Sequence, residues 1–412
     1  MLSLNRLAVT GAALVVAVCA AACGSSGTAG DGNTAAACSD LHVDRFKELI
    51  VVEPAVLADS RAQNATAGVW SFRHAIENLA PAGADTSAFV TAWLEDWVQT
   101  KDVNGFALDR AGEPRDAEMN HRIICPWLQR SPANACDDTC GVCTSRTLDL
   151  SLAPFRLIAI ANRMDLRNEV EGEDAGEGRL IFSATNGSAD DPASTPIPMT
   201  VIFEYALPKT RTTKEWATAW HGLGEVPGYD EPFRAALEGV TNGFTKRGAN
   251  PSAQGGSALA QIRTNESALN WIWQLREFAV DASGALRLRA LRNTPAAPLN
   301  NSKQLRDYVV ANAASIKSKR FEMPLALRGG SADQLLFSWS LPDVDEPTRK
   351  AFAANTCNGC HSAENPSVDT VFHVSPFRQG VAKLSPFMND PGGKADELTA
   401  RTKSLQSALC GN

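Results

Sequence analysis

Phe155-Arg156-Leu157-Ile158-Ala159-Ile160-Ala161, Arg179-Leu180-Ile181-Phe182-Ser183 and Met199-Thr200-Val201-Ile202-Phe203-Glu204-Tyr205 are three short runs dominated by Ile, Val, Leu and Phe. Each has strand length, and such residues pack best on a pleated surface, so each reads as a buried strand. Working outward, the first two runs are separated by an acidic stretch with Asp165, Glu169, Glu171, Glu173, Asp174 and Glu177. It lacks the regular ligand spacing of a calcium loop and reads as a solvated connection. Helical periodicity is expected over 212–221, 231–245 and 257–274, the last holding Trp271 and Trp273. Leu275 to Val280 and Leu286 to Leu291 flank Asp281-Ala282-Ser283-Gly284-Ala285, a hairpin signature in which glycine supplies the positive φ of the turn. Another helix is expected over 302–318. Upstream, 41–130 reads mostly helical, with Phe89, Val90, Trp93, Leu94 and Trp97 on one face as a core stripe. The expected class is therefore α+β: a main domain over 39–335 of mixed helices and antiparallel sheet, then a small all-α domain over 343–412.

The chain has 412 residues, 44% hydrophobic and 21% charged, with a formal charge of −7. These are globular values, in a chain too long for one ordinary core. Net acidity without a basic stripe argues against nucleic-acid binding, which needs phosphate-neutralising cations. There is no Gly-x-Ser-x-Gly elbow, no phosphate-cradling glycine loop and no His-x-x-x-His pair. His221, between Trp220 and Gly222, reads as a structural histidine.

At the front, Met1 to Arg6 is short and positively charged, and Leu7 to Val18 is apolar. Spanning a bilayer takes roughly 20 apolar residues, so this run suits a secretory signal over 1–22. Ala20-Ala21-Ala22-Cys23, followed by Gly24, resembles the lipobox of bacterial lipoproteins, with Ala20 where that family usually has Leu. The resemblance implies that Cys23 takes a lipid and becomes the mature N-terminus. It also implies outer-membrane sorting, because Gly24 stands where a retention Asp would. Residues 23–38, rich in Gly, Ser, Thr and Ala, read as a flexible tether.

Of ten cysteines, Cys19 leaves with the signal and Cys23 is the lipidation candidate. Cys38, Cys125, Cys136, Cys140, Cys143 and Cys410 are an even set outside the C-terminal motif, which in an exported chain predicts disulfides with the pairing left open. Cys136, Cys140 and Cys143, with Cys125 upstream, could instead hold zinc or an iron–sulfur centre. Cys410 is placed to tie down a C-terminal helix.

Cys357-Asn358-Gly359-Cys360-His361 carries the chemistry. Two thiols on one helical turn can meet the two vinyl groups of a haem, and the next residue then lies under the iron. A helix is expected from Pro347 to Ala354, leading into the motif, and another from Lys394 to Leu409. This layout resembles small monohaem c-type cytochromes, whose terminal helices cross beside the haem. The resemblance implies one covalent haem c, with thioethers at Cys357 and Cys360 and His361 as proximal iron ligand. Two distal candidates stand open. Met388 precedes the last helix as the axial methionine does in that family. His373 lies among apolar neighbours, where an imidazole needs a partner. A Cys357–Cys360 disulfide, or zinc on Cys357, Cys360, His361 and His373, is the competing use of the motif.

The stretch from Phe155 through Glu204-Tyr205-Ala206-Leu207-Pro208 to Arg263-Thr264-Asn265-Glu266, with the terminal Cys-x-x-Cys-His, is similar to a group of uncharacterised exported bacterial lipoproteins. That resemblance spans most of the mature chain, implies no activity, and favours a histidine at position 373. The expected function is a lipid-anchored c-type cytochrome passing single electrons to a redox partner protein in the envelope. A structural or binding lipoprotein whose motif is a disulfide or zinc staple, and a haem-dependent oxidative enzyme with its pocket in the main domain, are the alternatives.

Overall fold

The computed structural model describes residues 41–109, 114–167, 175–318, 321–333, 339–361, 371–391 and 396–411. The fold is mixed α+β, built on one large antiparallel sheet. Its strands are β1 (Ile50–Val51), β4 (Phe155–Arg163), β5 (Glu177–Thr185), β6 (Pro196–Ala206), β7 (Leu259–Glu266), β8 (Gln274–Val280), β9 (Leu286–Arg289) and β10 (Ser331–Asp333). The order is β1-β4-β5-β6-β7-β8-β10, with β9 also on β8, and every pairing is antiparallel. β2 (Asp102–Val103) and β3 (Phe106–Ala107) form a separate ribbon. The helices before β4 are α1 (Pro54–Leu57), α2 (Ser60–Gln63), α3 (Phe72–Leu79), α4 (Thr86–Gln99), α5 (Asp116–Met119) and α6 (Cys125–Arg130). After β6 come α7 (Thr213–His221) and α8 (Glu231–Thr245), then α9 (Lys303–Ala311) and α10 (Ala313–Lys317). The C-terminal region supplies α11 (Glu346–Ala354), α12 (Cys357–Cys360) and α13 (Glu397–Cys410).

Strand alternation gives the sheet two unlike faces. One is aromatic. Phe155, Phe182 and Phe203 surround Phe72 of α3 with ring centroids 4.6, 5.9 and 5.8 Å away, and Trp93 of α4 meets Phe278 edge-on at 5.8 Å. The stripe Phe89, Val90, Trp93, Leu94 and Trp97 is buried as expected, and Asp85 caps its helix by accepting from the amides of Ser87 and Ala88. Gly178 lets α8 approach this face, since a Cβ there would lie 2.5 Å from the Phe244 ring.

The runs at 155–161, 179–183 and 199–205 form β4, β5 and β6, and the hairpin follows as β8–β9 with Gly284 at φ +84°. The helix expected over 257–274 is corrected to strand β7 and a short connection. Leu259, Ile262 and Leu269 mimic helical spacing, but Gln261, Arg263 and Asn265 alternate with Ile262 and Thr264. Pairing on both sides, with β6 and β8, decides the matter.

The C-terminal stretch does not enclose a core of its own among the described residues. Phe352 and Ala353 of α11 share a core with Leu305, Val309 and Ile316 of α9 and α10. Cys357 packs against Trp273, Leu275, Leu291 and Ala332. Leu398, Leu405 and Ala408 of α13 belong to the main core, beside α7 and the turn at Met164–Leu166. Helices α11 and α13 thus pack on different parts of the main unit.

The cysteine cluster is stapled, not open to a metal: Cys125 pairs with Cys140 and Cys136 with Cys143. Cys410 is also disulfide-bonded, while Cys38 and Cys23 lie outside the described residues. The Cys125–Cys140 bridge closes a separation of 15 residues, worth about 3 kcal/mol on chain entropy. Cys125→Ala/Cys140→Ala is expected to lower stability by about that amount in urea unfolding, with the Cys357 and Cys360 thiols untouched. No described helix is long and apolar enough to cross a membrane.

Candidate functional site

The motif helix is held by Thr356. Its hydroxyl accepts from the Gly359 amide at 3.1 Å and from the Trp339 indole at 3.0 Å, and donates to the Ala353 carbonyl at 2.8 Å. Gly359 is required within α12, because a Cβ there would overlap the Ala353 carbonyl oxygen at the end of α11. The Cys357 amide donates to Thr294 Oγ1 at 2.9 Å, docking α12 on the main unit. One helical turn then sets Cys357 and Cys360 side by side. Both are thiols, the only two among the described residues.

His361 caps that turn and lies parallel to Trp273, with centroids 4.2 Å apart and 12° between the planes. Trp273 is fully buried, and its indole N–H donates to Asn265 Oδ1 on β7. On its other side His361 meets His373 at 4.3 Å between ring centroids. His373 sits at the foot of a hairpin closed by the Val374–Leu384 bridge. Its Nδ1 faces Ser385 Oγ at 3.1 Å, which leaves Nε2 facing Cys360 Sγ at 3.4 Å. One atom each from Cys360, His361 and His373 lies within 4.8 Å of the other two. Met388 has another role: it is buried in the main core, and Arg401 Nη2 donates to its sulfur at 3.7 Å. Of the two distal candidates, the fold brings His373 to His361.

Beneath these groups lies the second face of the sheet, which is ionic. Glu177 and Arg179 of β5, Glu204 of β6, Arg263 of β7, Glu277 of β8 and Arg289 of β9 form a ladder of alternating sign. Successive contacts are 2.6, 3.1, 3.0, 2.8 and 2.7 Å. A second group, Arg163, Asp165, Glu397 and Arg401, closes the side nearer Cys360. Burial opposes the charge on Asp165, but Arg163 and Arg401 outweigh it and hold the carboxyl well below its usual range. Burial, reinforced by Arg163, lowers Arg401 to about 10. Burial, with Glu397 adding to it, pushes the Cys360 thiol up to about 12, and burial also raises Cys357. Burial and then His361 push His373 well below its ordinary value, so its imidazole is neutral.

Trp273, Arg263, Glu277, Glu204 and Arg401 are the residues of this site that the motif alone does not name. Glu204, Arg263 and Glu277 are brought together by the pairing of β6, β7 and β8, and no local pattern marks Trp273 or Arg401. The acidic stretch contributes Asp165 and Glu177 as ion-pair partners of Arg163 and Arg179, and Glu169, Glu171, Glu173 and Asp174 lie outside the described residues. His221 stands with Nδ1 2.7 Å from the buried carboxylate of Glu48.

On the aromatic face, below the loop that carries Trp273, Glu266 is fully buried against Arg115 at 2.9 Å. Burial raises its pKa from 4.5 to about 7, against the pull of Arg115 and Arg276. The folded chain therefore binds this proton more tightly than the unfolded one. The associated stability is present below the unfolded value and is lost as pH rises through 7. Compared with Glu266→Gln, the wild type is expected to lose about 2 to 3 kcal/mol between pH 5 and pH 8, read as the difference of two urea-unfolding series. Equal pH slopes in the two chains would rule out this role for Glu266.

The donors match what a covalent haem takes: two adjacent thiols, a following histidine and a second imidazole at its face. The imidazoles stand closer than a shared iron allows. Two metal–nitrogen bonds of about 2 Å in line put the nitrogens about 4 Å apart, with the ring centres further out, against 4.3 Å between centroids here. A haem bonded by both histidines requires the 371–388 hairpin to draw back from His361. Against known proteins, the chain matches no family model, no curated protein and no solved structure.

Proposed function

We propose that this chain is an exported, lipid-anchored electron carrier that takes one covalent haem at Cys357 and Cys360. The observation that carries the reading is the pair of thiols on α12, next to His361, in a chain whose other described cysteines are all disulfide-bonded. In an oxidising compartment such a pair needs a use other than stapling. His361 is the proximal ligand and His373 the distal one. The haem supplies one-electron chemistry. The protein's part is to hold it: Trp273 fixes the plane of His361, Thr356 and Gly359 hold the turn, and the ionic sheet face sets the local field. Cys23 carries the lipid, residues 23–38 tether the folded part to the outer membrane, and the partner is a redox protein of the envelope. The acidic balance supports no nucleic-acid role.

The test is a pyridine haemochrome spectrum on chain exported by a host with cytochrome c maturation machinery. A thioether-type haem spectrum is expected from the wild type and none from Cys357→Ser/Cys360→Ser. A wild-type chain without haem would remove the electron-carrier reading.

A further inference from the structure

The three donors Cys360, His361 and His373 have a spacing of their own, distinct from what a haem uses. From these distances we infer that the chain binds one zinc-class divalent metal ion through Cys360 Sγ and the imidazoles of His361 and His373, for as long as Cys360 is a thiol. The inference does not rest on the haem reading. A thioether at Cys360 consumes the sulfur donor, so the two occupants exclude each other.

The argument begins with distances. A tetrahedral centre with a metal–sulfur bond of about 2.3 Å and a metal–nitrogen bond of about 2.05 Å separates sulfur from nitrogen by about 3.6 Å. Cys360 Sγ and His373 Nε2 are 3.4 Å apart. All three ligand atoms lie within 4.8 Å of one another, so modest side-chain rotation closes the set around one ion.

Orientation agrees with the distances. A metal-binding histidine usually engages its other ring nitrogen with a polar group, which fixes both ring direction and tautomer. Ser385 Oγ does this at His373 Nδ1, 3.1 Å away, and so turns Nε2 toward Cys360. Trp273 holds His361 by stacking, and the indole is itself anchored on Asn265. The site is therefore supported from β7 on one side and from the 373–385 hairpin on the other.

Cys357 is not a member. It packs with Trp273, Leu275, Leu291 and Ala332, and its neighbours are Arg263 and Glu277 on the sheet. This distinguishes the site from a four-ligand zinc knuckle that would use both cysteines. Among the described residues the set is three protein ligands, which with water or another small ligand in fourth place is the arrangement of reactive zinc sites and not of closed structural ones. Thiolate with two imidazoles selects zinc-class ions over calcium or magnesium.

The experiment uses the full chain exported from a host without cytochrome c maturation machinery, carrying Cys357→Ser. That substitution removes the neighbouring thiol, so Cys360 cannot close a disulfide with it. Cobalt(II) is the probe, because it reports thiolate ligation through a charge-transfer band and tetrahedral geometry through intense visible bands. One equivalent of cobalt is expected to produce both, and zinc to displace it. Adding Cys360→Ser or His373→Ala is expected to weaken binding at least 100-fold. Ser385→Ala is expected to weaken it about 10- to 100-fold. Circular dichroism and thermal unfolding check that each variant folds, and Cys360→Ser, nearly isosteric, keeps the test available if His373→Ala fails. Absence of cobalt bands in folded Cys357→Ser chain would overturn the inference, as would bands that persist without Cys360. Neither result bears on the haemochrome test, which uses wild-type chain from the other host.

Discussion

Glu204→Ala is expected to destabilise the fold by about 3 to 5 kcal/mol, the cost of breaking a buried ion pair from one side. Glu204 is fully buried, 3.1 Å from Arg179 and 3.0 Å from Arg263, and also accepts from Gln261. Removing it leaves two arginines, on the strands either side of β6, with like charge and one carboxylate each, Glu177 and Glu277. Domains are commonly stable by only about 5 to 15 kcal/mol, so the loss is a large part of the total. Urea unfolding measures it. The double variant Glu204→Ala/Arg263→Met is expected to recover part of the loss, because the strained cation leaves with its partner. A change below about 1 kcal/mol in the single variant would mean that the ladder behaves as a solvated surface network.

In the haem-loaded chain, His373→Ala is expected to open the sixth coordination position. The reduced variant then binds carbon monoxide and the reduced wild type does not. The contrast is close to all-or-none, since the fold places His373 at the face of His361 and Met388 elsewhere. Met388→Ala is expected to leave the spectrum of the loaded chain unchanged and to cost about 2 to 5 kcal/mol of stability, as a large-to-small change in a buried site. The opposite pattern, carbon monoxide binding in Met388→Ala and none in His373→Ala, would assign the distal position to Met388. An imidazole in that position lowers the reduction potential relative to a methionine sulfur. His373→Met is accordingly expected to raise it.

Much of this architecture is readable from local pattern. The runs at 155–161, 179–183 and 199–205 are strands because β-branched and aromatic residues follow one another without a helical stripe. The hairpin at 281–285 is readable because one glycine answers one turn. Cys-x-x-Cys-His is readable because its chemistry is contained in a single turn of helix. What escaped depends on partners distant in sequence. Arg179, Glu204, Arg263 and Glu277 lie on four successive strands of the sheet, and only strand pairing lines them up. Leu259, Ile262 and Leu269 satisfy a helical period, and a strand wins at β7 because two neighbours are waiting to pair with it. Trp273 has no local mark of its stacking on His361. The choice between His373 and Met388 turns on which side of the 371–388 segment packs inward. The packing of the C-terminal region also depends on partners distant in sequence. Cys357 and the apolar residues of α13 complete cores begun by the sheet and by α7, while Phe352 of α11 packs with α9 and α10.

We propose Cys357 and Cys360 as the attachment points of a covalent prosthetic group. Intact mass of the wild-type chain, exported by a host with cytochrome c maturation machinery, tests it most directly. A gain of one haem that survives denaturation and is absent from Cys357→Ser/Cys360→Ser is expected. A wild-type mass with no covalent addition beyond the lipid would contradict it.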